Sequence, residues 1–187
     1  MANLLSIREF TRRYYGYSRL YSLMASLRVC AEKDPRVKEQ VEKIAEGTTL
    51  YLTTFPARKV LMCKKQGGKL RFLFKKYAGF EQDAYVMFKS IDLALPVYDG
   101  FVSFTKAFNE SRLVIKGDTQ IGMQFVALFD IAQATLSPKI QREKYLTAKP
   151  YSEKMANDVK FLSFFRGWLW DITDFLNSLT MSALLQD

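Results

Sequence analysis

The sequence predicts an α+β domain with a small sheet, and three observations lead there. In segments such as Leu70–Lys76 and Asp83–Ser90 every second residue is apolar (Leu70, Phe72 and Phe74; Ala84, Val86 and Phe88), the period-two pattern of strands with one face in a core. Segments before and after them carry apolar residues every three or four positions, the pattern of helices with one buried face. Strand signals and helix signals come in blocks, without regular strand–helix–strand alternation, which argues α+β. A chain of 187 residues is one medium domain, or one domain with helical extensions, and can bury a full core.

The elements follow in order. Leu4 to about Cys30 reads as a helix on Leu4, Ile7, Leu20, Leu23, Met24 and Leu27, with Gly16 as a possible interruption. Asp34-Pro35 restarts a helix, Asp as N-cap and Pro in the first turn. That helix carries Val37, Val41 and Ile44 on one stripe and is expected to run to Gly47. Thr48–Thr54 is β-branched and aromatic, a strand closed by Pro56. Lys59–Lys65 and Leu70–Lys76 flank Gln66-Gly67-Gly68-Lys69, a hairpin turn. Within the second arm Leu70, Phe72 and Phe74 face one way and Arg71, Leu73 and Lys75 the other. Ala84, Val86 and Phe88 share a face of the next strand. Leu93 to Phe108 reads as two short helices broken near Pro96 or Gly100. Arg112–Lys116 is a short strand, and Gly117-Asp118 is a turn into a helix at about Thr119–Thr135, whose apolar face is Ile121, Phe125, Leu128, Phe129 and Ala132. Asp130 on that helix is either an outer-face charge or a buried polar anchor. Pro138–Pro150 is partly helical. Ser152–Leu185 is a long helical pattern with the stripe Val159, Leu162, Phe165, Leu169, Ile172, Leu176 and Leu179.

Composition narrows the chemistry. There is no histidine, which removes Ser–His–Asp and Cys–His catalysis and any His-ligated metal. Cys30 and Cys63 form no CxxC pair, so neither a zinc site nor a disulfide framework is expected. Gly67-Gly68-Lys69 lacks the earlier glycine and the following Ser or Thr of a phosphate loop, and a hairpin turn is the better reading. Asp171 and Asp174 are three apart on one helix and read as solvated charges rather than as an acid–base pair. The start of the chain lacks the apolar run of a signal peptide, and Arg166, Asp171 and Asp174 argue against the tail crossing a membrane. A cytoplasmic location is expected, with peripheral membrane contact.

Net charge is +9, and the excess is uneven: 17 of the 28 basic residues and 6 of the 19 acidic ones precede Phe80. Arg58, Lys59, Lys64, Lys65, Lys69, Arg71, Lys75 and Lys76 fall on the hairpin, where they are candidates for contact with an anionic membrane surface. The same cluster would serve a nucleic acid, but Phe72 and Phe74 alternate with the charges and so cannot act beside them as base-stacking platforms. A cluster of apolar residues from the strands and helices includes Phe72, Phe74, Val86, Phe88, Phe101, Phe104, Phe108, Met123 and Phe125. Such residues make an ordinary core, or line a deformable cavity for lipid.

Residues Asp83 to Phe129 carry a family resemblance. Val86 and Phe88 on a strand are followed by Ala107, Phe108, Ser111, Leu113, Ile115, Gly117 and Asp118, then by Gly122, Met123 and Phe125 at the start of a helix. This spacing resembles the sterol carrier protein-2 (SCP2-like) lipid-transfer domain, over about Lys59 to Pro138. The resemblance implies a five-stranded sheet with helices on one face, enclosing an apolar tunnel for lipid, with N- and C-terminal helical extensions at 1–50 and 139–187 around a domain at 51–138. It implies a non-enzymatic carrier with no cofactor, sheltering an acyl, sterol or isoprenoid chain among Phe72, Phe74, Val86, Phe88, Phe101, Phe104, Phe108, Met123 and Phe125. Bacterial relatives of this type act as accessory lipid binders in ubiquinone biosynthesis. The C-terminal helix is expected to pack on its own domain or to form a homodimer with a second copy of the chain. Two other readings stand beside the carrier: a scaffold that docks a protein partner through the aromatic-rich tail, and a nucleic-acid binder using the basic hairpin.

Overall fold

The computed structural model describes residues 2–56, 59–76 and 82–160. Helices α1 (Ala2–Lys33) and α2 (Pro35–Lys43) lead into β1 (Thr49–Thr54), β2 (Lys59–Gln66), β3 (Lys69–Lys76) and β4 (Ala84–Phe88). Then come α3 (Ile91–Tyr98), α4 (Phe104–Asn109), β5 (Leu113–Gly117), α5 (Thr119–Leu136) and α6 (Lys139–Tyr145), with a further helical stretch at 153–160. The strands form one mixed sheet in the order β3-β2-β1-β4-β5, so the fold is α+β. β1 is central. It pairs antiparallel with β2 and parallel with β4, and the β2–β3 hairpin is contained in the connection between them.

One face of the sheet, with Leu50, Leu52, Leu61, Cys63, Leu70, Val86, Phe88 and Leu113, shares a single core with the helices. From the helices come Leu20, Leu23 and Leu27 of α1, Val37 and Val41 of α2, and Phe125, Leu128, Phe129 and Ala132 of α5. Met155 and Val159 of the last helical stretch join the same core. The opposite face carries a smaller apolar group, Tyr51, Val60 and Tyr85, with Met62 and Met87 against it.

The local signals explain the boundaries. Asp34 caps α2 by accepting from the Arg36 N–H at 3.0 Å, and its carboxylate also holds the Arg36 guanidinium at 2.7 Å. α2 ends at Lys43, short of Gly47, because Ile44 turns to an extended conformation and points into the core. α1 runs unbroken through Gly16, whose missing side chain lets Ile91 of α3 approach; a Cβ there would lie 3.0 Å from Ile91 Cδ1. Gly67 and Gly68 both have positive φ, the condition for a tight two-residue hairpin. Pro96 falls inside α3, and the chain turns afterwards, at Asp99–Ser103. Gly117 (φ +80) passes so close to the Asp83 carbonyl that no side chain would fit, and Asp118 caps α5 through the Ile121 N–H at 3.0 Å. Asp171, Asp174 and the C-terminal stripe from Leu162 onward lie outside the described residues.

Candidate functional site

The nine apolar candidates separate into groups. Val86 and Phe88 of β4, Phe104 of α4 and Phe125 of α5 are fully buried between sheet and helices. Their rings interlock: Phe88 meets Phe104 edge-on at 5.8 Å, Phe104 lies 5.2 Å from Phe129, and Phe129 lies 6.4 Å from Phe125. Tyr98 of α3 closes this group, edge-on to Phe88 at 5.2 Å, its hydroxyl 2.9 Å from Thr54 Oγ1. Burial raises the Tyr98 pKa, so its hydroxyl stays protonated. Phe72, Phe74, Phe108 and Met123 are half-buried on the margins of the core. Phe101 is not brought to the interior. It stands in the turn after α3, 50% exposed, with its ring 5.6 Å from Tyr145 of α6. The break in the helix falls at this residue, so helical spacing no longer carries its side chain inward.

Buried polar groups fix the end of the interior where α3, α4 and α5 meet. Asp130 is a buried anchor. Its carboxylate accepts from the Phe104 N–H at 2.6 Å, the Thr105 N–H at 3.2 Å and the Thr105 hydroxyl at 2.5 Å. These are first-turn donors of α4 that have no partner within the helix, and Ser103 takes another from Lys106 at 3.0 Å. Desolvation raises the Asp130 pKa, against the lowering effect of those hydrogen bonds. Gln133, one turn on, donates to the carbonyls of Val97 and Val102. Burial also raises the thiol pKa of Cys30 and of Cys63, so neither is a ready nucleophile. No cluster of three or more metal-ligating side chains occurs among the described residues.

The basic hairpin departs from its sequence reading at one position. Neighbouring residues in a strand face opposite ways, so Lys64 and Lys65 cannot share a surface. Lys65 pairs with Leu70 in the register, on the inner face, and is 7% exposed. Its ammonium donates to the carbonyls of Glu42, at 3.0 Å, and Ile44, at 2.5 Å, at the C-terminal end of α2. Lys65 is therefore a structural tie and not a headgroup contact. Lys69 and Arg71 are exposed, and Lys64 is half-buried directly opposite Arg71. Lys59, Lys75 and Lys76 take paired positions in β2 and β3. Arg58 lies outside the described residues.

Beside this hairpin the structure opens. A cavity of about 500 Å³ lies between α1, α2 and the start of β3, with Arg28, Glu32, Lys38, Val41, Glu42 and Lys69 among its walls. A smaller one of about 140 Å³ continues along α1 and β3 over Tyr21, Met24, Ala25 and Phe72. Arg28, Leu70 and Arg71 line both, which makes them one trough. Tyr21, Met24, Ala25, Arg28, Ala31 and Glu32 reach it because they recur at helical spacing on α1. Of these, the sequence pattern drew only on Met24, as one of the apolar positions that mark the helix. The i, i+3, i+4, i+7 spacing was the available signal, but it does not say what faces the helix.

Comparison with known proteins follows from this geometry. The SCP-2 sterol transfer family matches residues 27–130, more than half of the chain. No curated protein matches it. Among solved structures, the chain is similar to one titled "UbiJ-SCP2 Ubiquinone synthesis protein", at 20% identity and TM-score 0.43, covering 60% of this chain and 91% of that one. It is similar to a conserved hypothetical protein, possibly sterol carrier protein, of Thermus thermophilus, at 17% identity and TM-score 0.44, over 70% of this chain and 89% of the other. It is also similar to sterol carrier protein domain 2 of Helicoverpa armigera, at 18% identity and TM-score 0.39, over 57% and 82% of the two chains.

Proposed function

The chain belongs to the SCP-2 sterol transfer family, and from that premise we propose that it is a non-enzymatic lipid carrier, cytoplasmic and peripheral to membranes. The single observation that carries this reading is the family match over the segment that builds the apolar face of the sheet and most of the helices covering it. The ligand is an acyl, sterol or isoprenoid chain. Each methylene it withdraws from water contributes about 0.8 kcal/mol, so a chain of twelve or more can offset the cost of immobilisation. The half-buried Phe72 and Phe74 of β3 are the accessible lining, and Val86, Phe88, Phe104 and Phe125 belong to the buried interior under β4, further across the same sheet face. No helix among the described residues is long and apolar enough to cross a membrane. In this reading the protein meets lipid bilayers from outside.

Docking to an anionic surface is supported by the pairing of Lys64 with Arg71. Like charges directly opposite each other on neighbouring strands are destabilising, and neither side chain has an ion-pair partner among the described residues. An anionic headgroup supplies the missing counter-charge. The experiment for the carrier reading is mass spectrometry of the full-length protein after native extraction. Lipid at a stoichiometry near one per chain is expected, and an empty protein that also fails to take up lipid from vesicles would overturn it. For docking, Lys64→Gln with Arg71→Gln should weaken binding to vesicles containing anionic lipid at low salt and leave binding to neutral vesicles unchanged.

A further inference from the structure

The trough runs alongside a strand edge. Lys69, Leu70, Arg71 and Phe72 all line it. Consecutive side chains of a strand point to opposite faces of the sheet, so a space touched by four residues in a row lies beside the strand and over neither face. β3 is an outer strand of the sheet, bonded to β2 on its inner side. The hydrogen bonds of β2 show which backbone groups of β3 face the trough. Both backbone groups of Lys65 are engaged on the β1 side: its N–H donates to the Thr48 carbonyl at 2.9 Å, and its carbonyl accepts from the Gly47 N–H at 3.0 Å. Leu70, its partner in the register, therefore receives no bond across the hairpin, and its own N–H and carbonyl point outward. Alternation gives Phe72, opposite Cys63, the same orientation. Neither residue's backbone has a partner outside the hairpin among the described residues. Leu70 is only 5% exposed, and an unpaired backbone group in so confined a place is costly. The edge is also held in position: the Lys65 ammonium fastens β2 to the end of α2, and the Glu46 carboxylate accepts from the N–H groups of Gly67 and Gly68 at the turn. A strand that pairs here meets a formed template, which lowers the ordering cost of binding.

The two edges of the sheet differ in length: β5 has five residues and β3 eight. Short strands and edge lysines both discourage unwanted pairing. On β3 the charges discriminate between partners. Lys69 and Arg71 point to the sheet face away from the helices, with Lys64 directly across from Arg71. A second copy of β3 laid antiparallel and centred on Leu70 or Arg71 sets cation against cation, which is unfavourable. An acidic strand gains from the same charges. We propose that the β3 edge docks an extended segment of a partner protein, which adds a strand to the sheet through the outward groups of Leu70 and Phe72 and carries acidic side chains on the face of Lys69 and Arg71. Such a strand lies about 4.8 Å beyond β3, where the trough is open. Its alternate side chains fall on the helix side, near Met24 and Ala25 of α1, where a space of about 140 Å³ suits small residues. Glu32 and Glu42 line the wider part, so acidic side chains are disfavoured on that side. The proposal is independent of the carrier reading.

The probe is the blocked hexapeptide Glu-Val-Glu-Val-Glu-Val, added to the full-length protein and followed by residue-resolved amide exchange and calorimetry. In the free protein the amides of Leu70 and Phe72 should exchange faster than those of Arg71 and Leu73, which bond to β2. Peptide should slow Leu70 and Phe72 by roughly tenfold or more, the effect of one or two added hydrogen bonds. N-methylation of the valine amides or of the glutamate amides removes the donors on one edge of the peptide or the other. One of these two peptides should bind roughly tenfold more weakly than the other, and equal binding of both would show a plain charged patch and overturn the added strand. Lys69→Gln with Arg71→Gln should weaken the parent peptide severalfold at low salt without moving the melting temperature, because both side chains are exposed. A peptide with lysine in place of glutamate that binds as tightly as the parent would overturn the acidic partner. Protection of Leu113–Gly117 in place of Leu70 and Phe72 would put the pairing on the β5 edge and overturn the proposal, as would absence of binding at millimolar peptide. Anionic vesicles that protect the same two amides as fully as the peptide would make this edge a membrane contact instead.

Discussion

Where α4 and α5 cover β4 of the sheet, four phenylalanine rings and Tyr98 touch in sequence, and buried Asp130 and Gln133 satisfy the backbone groups around them. Where α1 passes β3, at the opposite edge of the same sheet, Phe72 and Phe74 are only half-buried and cations line an open trough. The two regions share one core and one chain. Their difference shows that apolar content alone does not mark a binding region, because the more aromatic region is the more completely filled. Unfilled volume and unpaired charge occur together at the other edge.

The comparison can be broken most directly by truncating a ring on each side. Phe104→Ala removes a fully buried ring among three aromatic neighbours and should cost about 3–5 kcal/mol in denaturant unfolding. Phe72→Ala, beside the trough, should cost about 1–2 kcal/mol, since much of its surface already faces solvent or cavity. Equal costs would mean that the β3 edge is as tightly packed as the β4 region.

Asp130→Ala comes next, at about 2–4 kcal/mol, because it strands two backbone donors at the start of α4. The pH dependence carries a sign. The folded-state pKa of Asp130 is raised, so folding favours its protonated form. Its stabilising effect is complete below the unfolded value of about 4 and declines as pH rises through the raised value. The stability of the wild-type protein relative to Asp130→Asn should therefore be greater at pH 4 than at pH 7. A difference that grows with pH would show that the hydrogen bonds to the carboxylate outweigh its desolvation.

The smallest effect expected from these substitutions separates two adjacent lysines. Lys65→Met should lose about 1–3 kcal/mol, since it leaves the Glu42 and Ile44 carbonyls without their donor. Lys64→Met should change stability by less than about 0.5 kcal/mol, as expected for a side chain without partners, and relief of its repulsion with Arg71 makes a small gain the expected sign. Thermal melts of the two variants side by side read this directly.

Much of the fold was legible because its signals are local. Asp34-Pro35 starts α2, Gly67-Gly68 turns the hairpin, Gly117-Asp118 starts α5, and Ala84, Val86 and Phe88 alternate into the core. What was not legible depends on residues distant in sequence. Gly16 looked like an interruption because its reason, the approach of Ile91, lies on another helix. Asp130 had two readings until α4 was placed against it. Lys65 was grouped with its basic neighbours because charge was counted along the chain, whereas the register decides which side it faces. The trough had no single-segment signature, since α1, α2 and β3 each contribute a few residues that look like ordinary surface.

The parallel pairing of β1 with β4 bears on how quickly this molecule can assemble. The β2–β3 hairpin closes over a two-residue turn, a local event of microseconds. Leu50 meets Ala84 only after a loop of roughly thirty residues, hairpin included, has been drawn shut, and that closure costs chain entropy before any contact repays it. Substitutions at the β1–β4 seam, such as Val86→Ala, should therefore slow refolding more, per unit of stability lost, than substitutions at the hairpin tip. The cations of β3 form early on a ribbon of two strands, but they acquire their opposite wall only when the central pair has zipped and α1 has settled across it.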